Sequence, residues 1–86
     1  MMDYSNIING KEIANNLRAE RNRKKMTQED VARKLNITLR TYVSYEENAS
    51  TIKAATLYSL SKILSCNISD FFYKPTSQNV NKAKEK

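Results

Sequence analysis

From Thr27 to Glu46 the apolar positions change spacing twice, and each change marks an element. Val31, Ala32 and Leu35 recur at helical spacing behind Thr27, a residue type that caps helix N-termini, with Gln28, Glu29 and Asp30 filling the first turn. Asn36 comes next, and after glycine asparagine best tolerates the left-handed backbone of a sharp turn. Ile37 is an apolar plug and Thr38 a second N-cap. Leu39 to Glu46 then predict another short helix, whose Tyr42 and Tyr45 are three apart and can face the preceding helix. Cap, short helix, turn, plug, cap and short helix together predict a helix-turn-helix.

The flanking pattern is helical too. A first helix is expected from Gly10 or Lys11 to about Arg23 or Lys24, with Ile13, Ala14, Leu17 and Arg21 on one face. Arg18, Arg23, Lys24 and Lys25 point to water in this reading, and Met26 packs as the staple ahead of the Thr27 cap. After a polar loop at 47–51, a further helix covers roughly Lys53 to Leu64. Leu57, Leu60, Ile63 and Leu64 form its stripe, and Ala54 and Ser61 serve as small close-packing positions. Asn67 caps a last short helix carrying Ile68, Phe71 and Phe72. Residues 1–9 lack periodicity and are expected to be flexible, and the polar tail 74–86 is expected to be disordered. The prediction is therefore an all-α, compact five-helix domain over 10–73, with the helix-turn-helix at helices two and three.

Composition narrows the chemistry. At 86 residues there is room for one small domain, and a single glycine and a single proline argue for helix rather than a sandwich or barrel. The net charge of +6 is unevenly spread. Residues 11–25 carry six Lys/Arg against Glu12 and Glu20, and the tail from Lys74 carries four Lys against Glu85. Such a domain suits a polyanion. Cys66 is the only cysteine and histidine is absent, so neither an internal disulfide nor an ordinary zinc site within one chain is expected. Nor is there a glycine-rich phosphate loop or a catalytic carboxylate cluster, so neither an enzyme nor a cofactor is expected. The lack of an apolar signal or spanning run predicts a cytoplasmic chain with no membrane partner. The N-x-S/T triplets at Asn36, Asn48 and Asn67 read as turns and caps.

Gln28 to Phe72 resembles the helix-turn-helix domain of the lambda Cro and phage-repressor type, the bacterial Xre family of transcription regulators. TQEDVARKLNIT is similar to that family's second helix and turn, YEEN to the end of its third helix, and NISDFF to its final helix. With the first helix included, the resemblance covers about residues 11–73. Three positions depart from the family's usual pattern: Asn36 and Asn48 stand where glycine is common, and Leu39 stands where a polar base-reading residue is frequent.

The resemblance implies double-stranded DNA as partner, with the helix 38–46 in the major groove. The outward positions Leu39, Arg40, Val43 and Ser44 would then read bases. Arg40 is suited to pair with guanine, and Leu39 and Val43 to pack on thymine methyls. Gln28 and Thr38 would hold phosphates at helix starts. Asn48 and Lys53 would do so around the loop that often touches phosphates in that family. Glu46 would pair with Arg21 of the first helix. The expected function is a sequence-specific regulator, a repressor by preference. The alternative is an antitoxin or other protein-interaction module that binds DNA secondarily. A homodimer through the C-terminal Phe71, Phe72 and Tyr73 is expected, because one motif reads too few base pairs for high specificity.

Overall fold

The computed structural model describes residues 9–72. Four α-helices follow in order: α1 (Gly10–Arg23), α2 (Gln28–Leu35), α3 (Leu39–Glu47) and α4 (Ala54–Ile63). Two 3₁₀ turns, Ala49–Thr51 and Ile68–Phe71, complete the described chain. The fifth helix is thus a single 3₁₀ turn. Its four residues allow one turn only, and short runs of this kind favour the tighter i→i+3 bonding. The N-terminal segment before Asn9, the tail 74–86 and Tyr73 lie outside the described residues.

Local chemistry sets the helix boundaries. Asn9 caps α1 by accepting the Glu12 N–H at 3.0 Å. Thr27 and Asp30 form a reciprocal capping box at the start of α2, with bonds of 3.0 and 2.9 Å. Three helices end in the same way. Lys25, Asn36 and Ser65 take left-handed backbone, and the amides of Met26, Ile37 and Cys66 reach back to the carbonyls of Arg21, Ala32 and Ser61. This is the Schellman geometry that glycine usually serves. Here lysine, asparagine and serine carry it, which is how the chain makes three such turns with one glycine.

That glycine has a different task. A methyl group at Gly10 would meet the Ser50 backbone nitrogen at 2.8 Å and Ser50 Cβ at 2.9 Å, besides the Asn48 side-chain oxygen. Gly10 therefore lets the start of α1 close against the loop after α3. Gly10→Ala should destabilise the domain by about 1–3 kcal/mol, despite alanine's better helix propensity, because the blocking atoms include backbone. Urea unfolding checks this, and an unchanged midpoint would mean the loop moves aside freely.

The core draws on all four α-helices and the last turn: Leu17 from α1, Val31 from α2, Tyr42 from α3, Leu60 from α4 with Leu64 just past its end, and Phe71 from the last turn, all 0% exposed. Ala54, expected as a close-packing position, is exposed, whereas Ser61 is buried and donates to the Tyr58 carbonyl at 2.6 Å. Phe71 is likewise not part of an outer patch. It fills the centre, and its carbonyl accepts Asn16 Nδ2 of α1 at 2.8 Å. Of the described apolar residues expected to close a dimer, Phe72 is the large one left exposed, at 39%.

Candidate nucleic-acid interface

α2 and α3 meet across the Asn36–Ile37 turn, and α3 has two unlike faces. Inward, Tyr42 and Glu46 are buried one turn apart. Tyr45 is half-buried and edge-on to Tyr42, with ring centroids 6.3 Å apart. Outward, Leu39, Arg40 and Ser44 are exposed and Val43 is half-buried. An exposed leucine beside an arginine at the start of a helix presents an apolar surface and a five-donor fork together. Ser44 Oγ donates to the Thr41 carbonyl at 2.6 Å, so toward a ligand it is left as an acceptor. Thr38 caps α3: its hydroxyl oxygen accepts the Thr41 N–H at 3.1 Å and donates to Thr41 Oγ1 at 2.9 Å.

Beneath this face lies a buried ionic cluster. The Glu46 carboxylate accepts Arg21 Nε at 2.6 Å, Arg21 Nη2 at 3.0 Å, Gln28 Nε2 at 3.0 Å and the Tyr42 hydroxyl at 2.5 Å. Arg21 Nη1 donates to the Met26 carbonyl at 2.8 Å, which satisfies the backbone just before the α2 cap. Burial works against the Glu46 charge, but the bonds from Arg21, Tyr42 and Gln28 outweigh it and hold its pKa below the ordinary value. Tyr42 is pushed up by burial and by the neighbouring carboxylate, so its hydroxyl stays a donor. The bond to Glu46 holds Arg21 charged. The cluster joins α1, the first turn of α2 and the end of α3 in one rigid unit.

The other expected phosphate holders sit around this unit. Gln28 is half-buried at the first position of α2, with its side chain turned to Glu46. Asn48 is exposed, and its Oδ1 accepts both the N–H and the hydroxyl of Ser50, at 2.9 and 2.6 Å. Lys53 is exposed at the start of α4 and makes no side-chain capping bond. Arg18, read from sequence as pointing to water, donates from Nη2 to the Glu46 carbonyl at 2.8 Å. No sequence pattern signals that bond, because it joins residues 28 apart.

Away from α3, an open groove of about 990 Å³ runs between α1, the end of α4 and the last turn. Its walls mix Glu20 and Asp70 with Arg23 and Lys62. Cys66 lies there, its thiol pushed up to about 11 by burial and by Glu20 and Asp70, so it is a neutral thiol at pH 7. Among the described residues no group of acids and cysteine is arranged to hold a metal ion, and no helix is long and apolar enough to cross a membrane.

A helix-turn-helix family model matches residues 17–71, which spans the motif, the buried cluster and the closing turn. The chain belongs to the Xre/Cro-type helix-turn-helix family. With that membership come DNA binding and transcription regulation as the coarse function. No curated protein matches the chain. Among solved structures, a variant of the restriction-modification controller protein C.Esp1396I is similar at 27% identity and TM-score 0.66, over 73% of this chain and 82% of that one. The clp gene regulator ClgR from C. glutamicum is similar at 18% identity and TM-score 0.66, over 71% of this chain and 79% of that one. Hydroxypropylphosphonic acid epoxidase from S. wedmorenis is similar at 20% identity and TM-score 0.71, over 76% of this chain. This helix-turn-helix chain spans only 35% of the epoxidase's length, and that likeness is one of fold alone.

Proposed function

We propose that this helix-turn-helix protein is a transcription repressor that binds a specific double-stranded DNA site, with residues 38–46 as the recognition helix in the major groove. The observation that carries the reading is the division of α3. Tyr42 and Glu46 anchor one face in the core, while Leu39, Arg40 and Ser44 stand free on the other. Arg40 pairs with a guanine edge, Leu39 and Val43 cover thymine methyls, and Ser44 accepts from a base or water. Thr38, Asn48 and Lys53 hold phosphates. Gln28 does so through the amide at the α2 N-terminus, since its side chain is occupied by Glu46. The controller and regulator roles of two similar proteins support a regulatory reading.

Footprinting on DNA around the protein's own gene tests this directly. Affinity for the protected duplex should fall steeply between about 50 and 200 mM salt, as several phosphates are neutralised. Arg40→Ala should cost roughly 1–3 kcal/mol on that duplex and relax preference at one base pair. Gln28→Pro, which removes the amide at the first position of α2 where proline is tolerated, should weaken specific and random duplexes alike. If Arg40→Ala weakened both equally, Arg40 would be a phosphate contact and not a base reader.

The functional unit in this reading is a homodimer, which brings two recognition helices about 34 Å apart on one side of the duplex. Phe72 is the described residue available to such a contact, and its neighbour Tyr73 belongs to the same proposed patch.

A further inference from the structure

Glu46 meets α1 twice, once through its carboxylate and once through its backbone. In a continuing helix the Glu46 carbonyl would accept the N–H of Ser50. That N–H goes instead to Asn48 Oδ1 at 2.9 Å, because Asn48 leaves the helical backbone (φ −159°, ψ 120°) and opens the Ala49–Thr51 turn. The carbonyl is therefore one of the orphans every helix end leaves. It belongs to a residue only 2% exposed, where an unmatched acceptor is costly. Arg18 supplies the missing donor at 2.8 Å, and its Nε lies 3.7 Å from Glu46 Oε1. The guanidinium also puts positive charge where the carbonyl dipoles of α3 converge. Arg21 grips the side chain of the same residue. One arginine thus holds the backbone and another the carboxylate, which fixes α3 against sliding and against rotation about its axis.

We propose that Arg18 is a positioning residue for DNA reading: by capping the Glu46 carbonyl it sets the angle at which α3 leaves the core, and hence where Arg40 and Leu39 meet base edges. The proposal rests on the DNA-reading function above. Its side chain is 47% exposed, so the rival role is a direct phosphate contact. The two roles differ in what they change. A phosphate contact contributes to all duplexes and to the salt slope, whereas a positioning residue acts on the preference for the specific site.

The test uses the full chain and two variants, Arg18→Met, which keeps the aliphatic stem without donors, and Arg18→Lys, which restores one donor. The probes are a duplex selected by the wild type from a randomised pool and a random duplex of equal length. Arg18→Met should lower the specific-to-random affinity ratio by roughly threefold or more, a scale typical of changes remote from the ligand. Arg18→Lys should recover part of it, and Lys24→Met, which removes the same charge just past the end of α1, should leave the ratio unchanged. Equal losses on both duplexes with a salt slope shallower by about 0.9 would make Arg18 a phosphate contact and overturn the proposal. A second readout needs no DNA: amide hydrogen exchange at Tyr45 to Asn48 in the free protein should quicken in Arg18→Met and slow again in Arg18→Lys. Unchanged exchange overturns the capping role. A pool that yields no preferred duplex while exchange behaves as expected would count against the DNA-reading function and leave the cap standing.

Discussion

Glu46→Ala is expected to lower the unfolding free energy by about 3–5 kcal/mol, the scale seen when one partner of a buried ionic cluster is removed. Four donors, two from Arg21 and one each from Gln28 and Tyr42, would lose their acceptor in a site closed to water. In a domain this small each kcal/mol is worth about 4–8 °C, so the thermal midpoint should drop by tens of degrees. Arg21→Ala should be comparably damaging, and the double variant should lose less than the sum of the two because they share one interaction. Additive losses would mean the pair contributes nothing as a pair.

Acid adds an independent arm to the same prediction. The Glu46 pKa is held below its ordinary value in the folded chain, so its contribution to stability is fully present above the unfolded value of about 4.3. It is lost as pH falls through the lower folded value. Asp30, lowered chiefly by its bonds to Thr27, acts in the same direction. Glu46→Gln removes the charge but not the shape, so its melting temperature should fall less steeply than the wild type's between about pH 5 and pH 3. Parallel curves for the two proteins would assign the acid sensitivity to other carboxylates.

Phe71→Ala is expected to cost about 3–5 kcal/mol, since it empties a fully buried aromatic site at the meeting of α1, α4 and the last turn. The Asn16–Phe71 bond at 2.8 Å ties that turn to α1 and limits how far it can collapse into the cavity. Phe72→Ala should change stability by no more than about 0.5 kcal/mol, as its exposed neighbourhood is already solvated. Urea titrations of the two variants make the comparison, and similar losses would mean the turn does not discriminate inside from outside. For the proposed dimer, Phe72→Glu should keep the fold and shift sedimentation at tens of micromolar toward monomer. A wild type that is monomeric both free and on DNA would end that proposal.

What could be read from the residues alone is what they arrange within about four positions of themselves. Thr27 and Thr38 cap because serine-like hydroxyls reach an amide three residues on, as both do here at 3.0 and 3.1 Å. Asn36 turns left-handed because its short polar side chain tolerates that backbone, so the two motif helices and the break between them follow from local chemistry. The spacing of Leu57, Leu60 and Leu64 fixes which face of α4 turns inward by the same logic. Of the joins between distant segments, the Arg21–Glu46 pair was expected from the family resemblance, and tertiary structure decided the others. Gln28 meets Glu46 across 18 residues, Arg18 meets its carbonyl across 28, and Asn16 meets Phe71 across 55. Arginine, glutamine and asparagine have no periodic signature, and each would look equally at home in water. Phe71 and Phe72 are adjacent and chemically identical, yet only the docking of the last turn onto α1 and α4 buries one and exposes the other. Gly10 obeys the same rule. Its role comes from a loop 40 residues away that leaves no room for a methyl group, a steric fact that exists only once the chain has closed on itself.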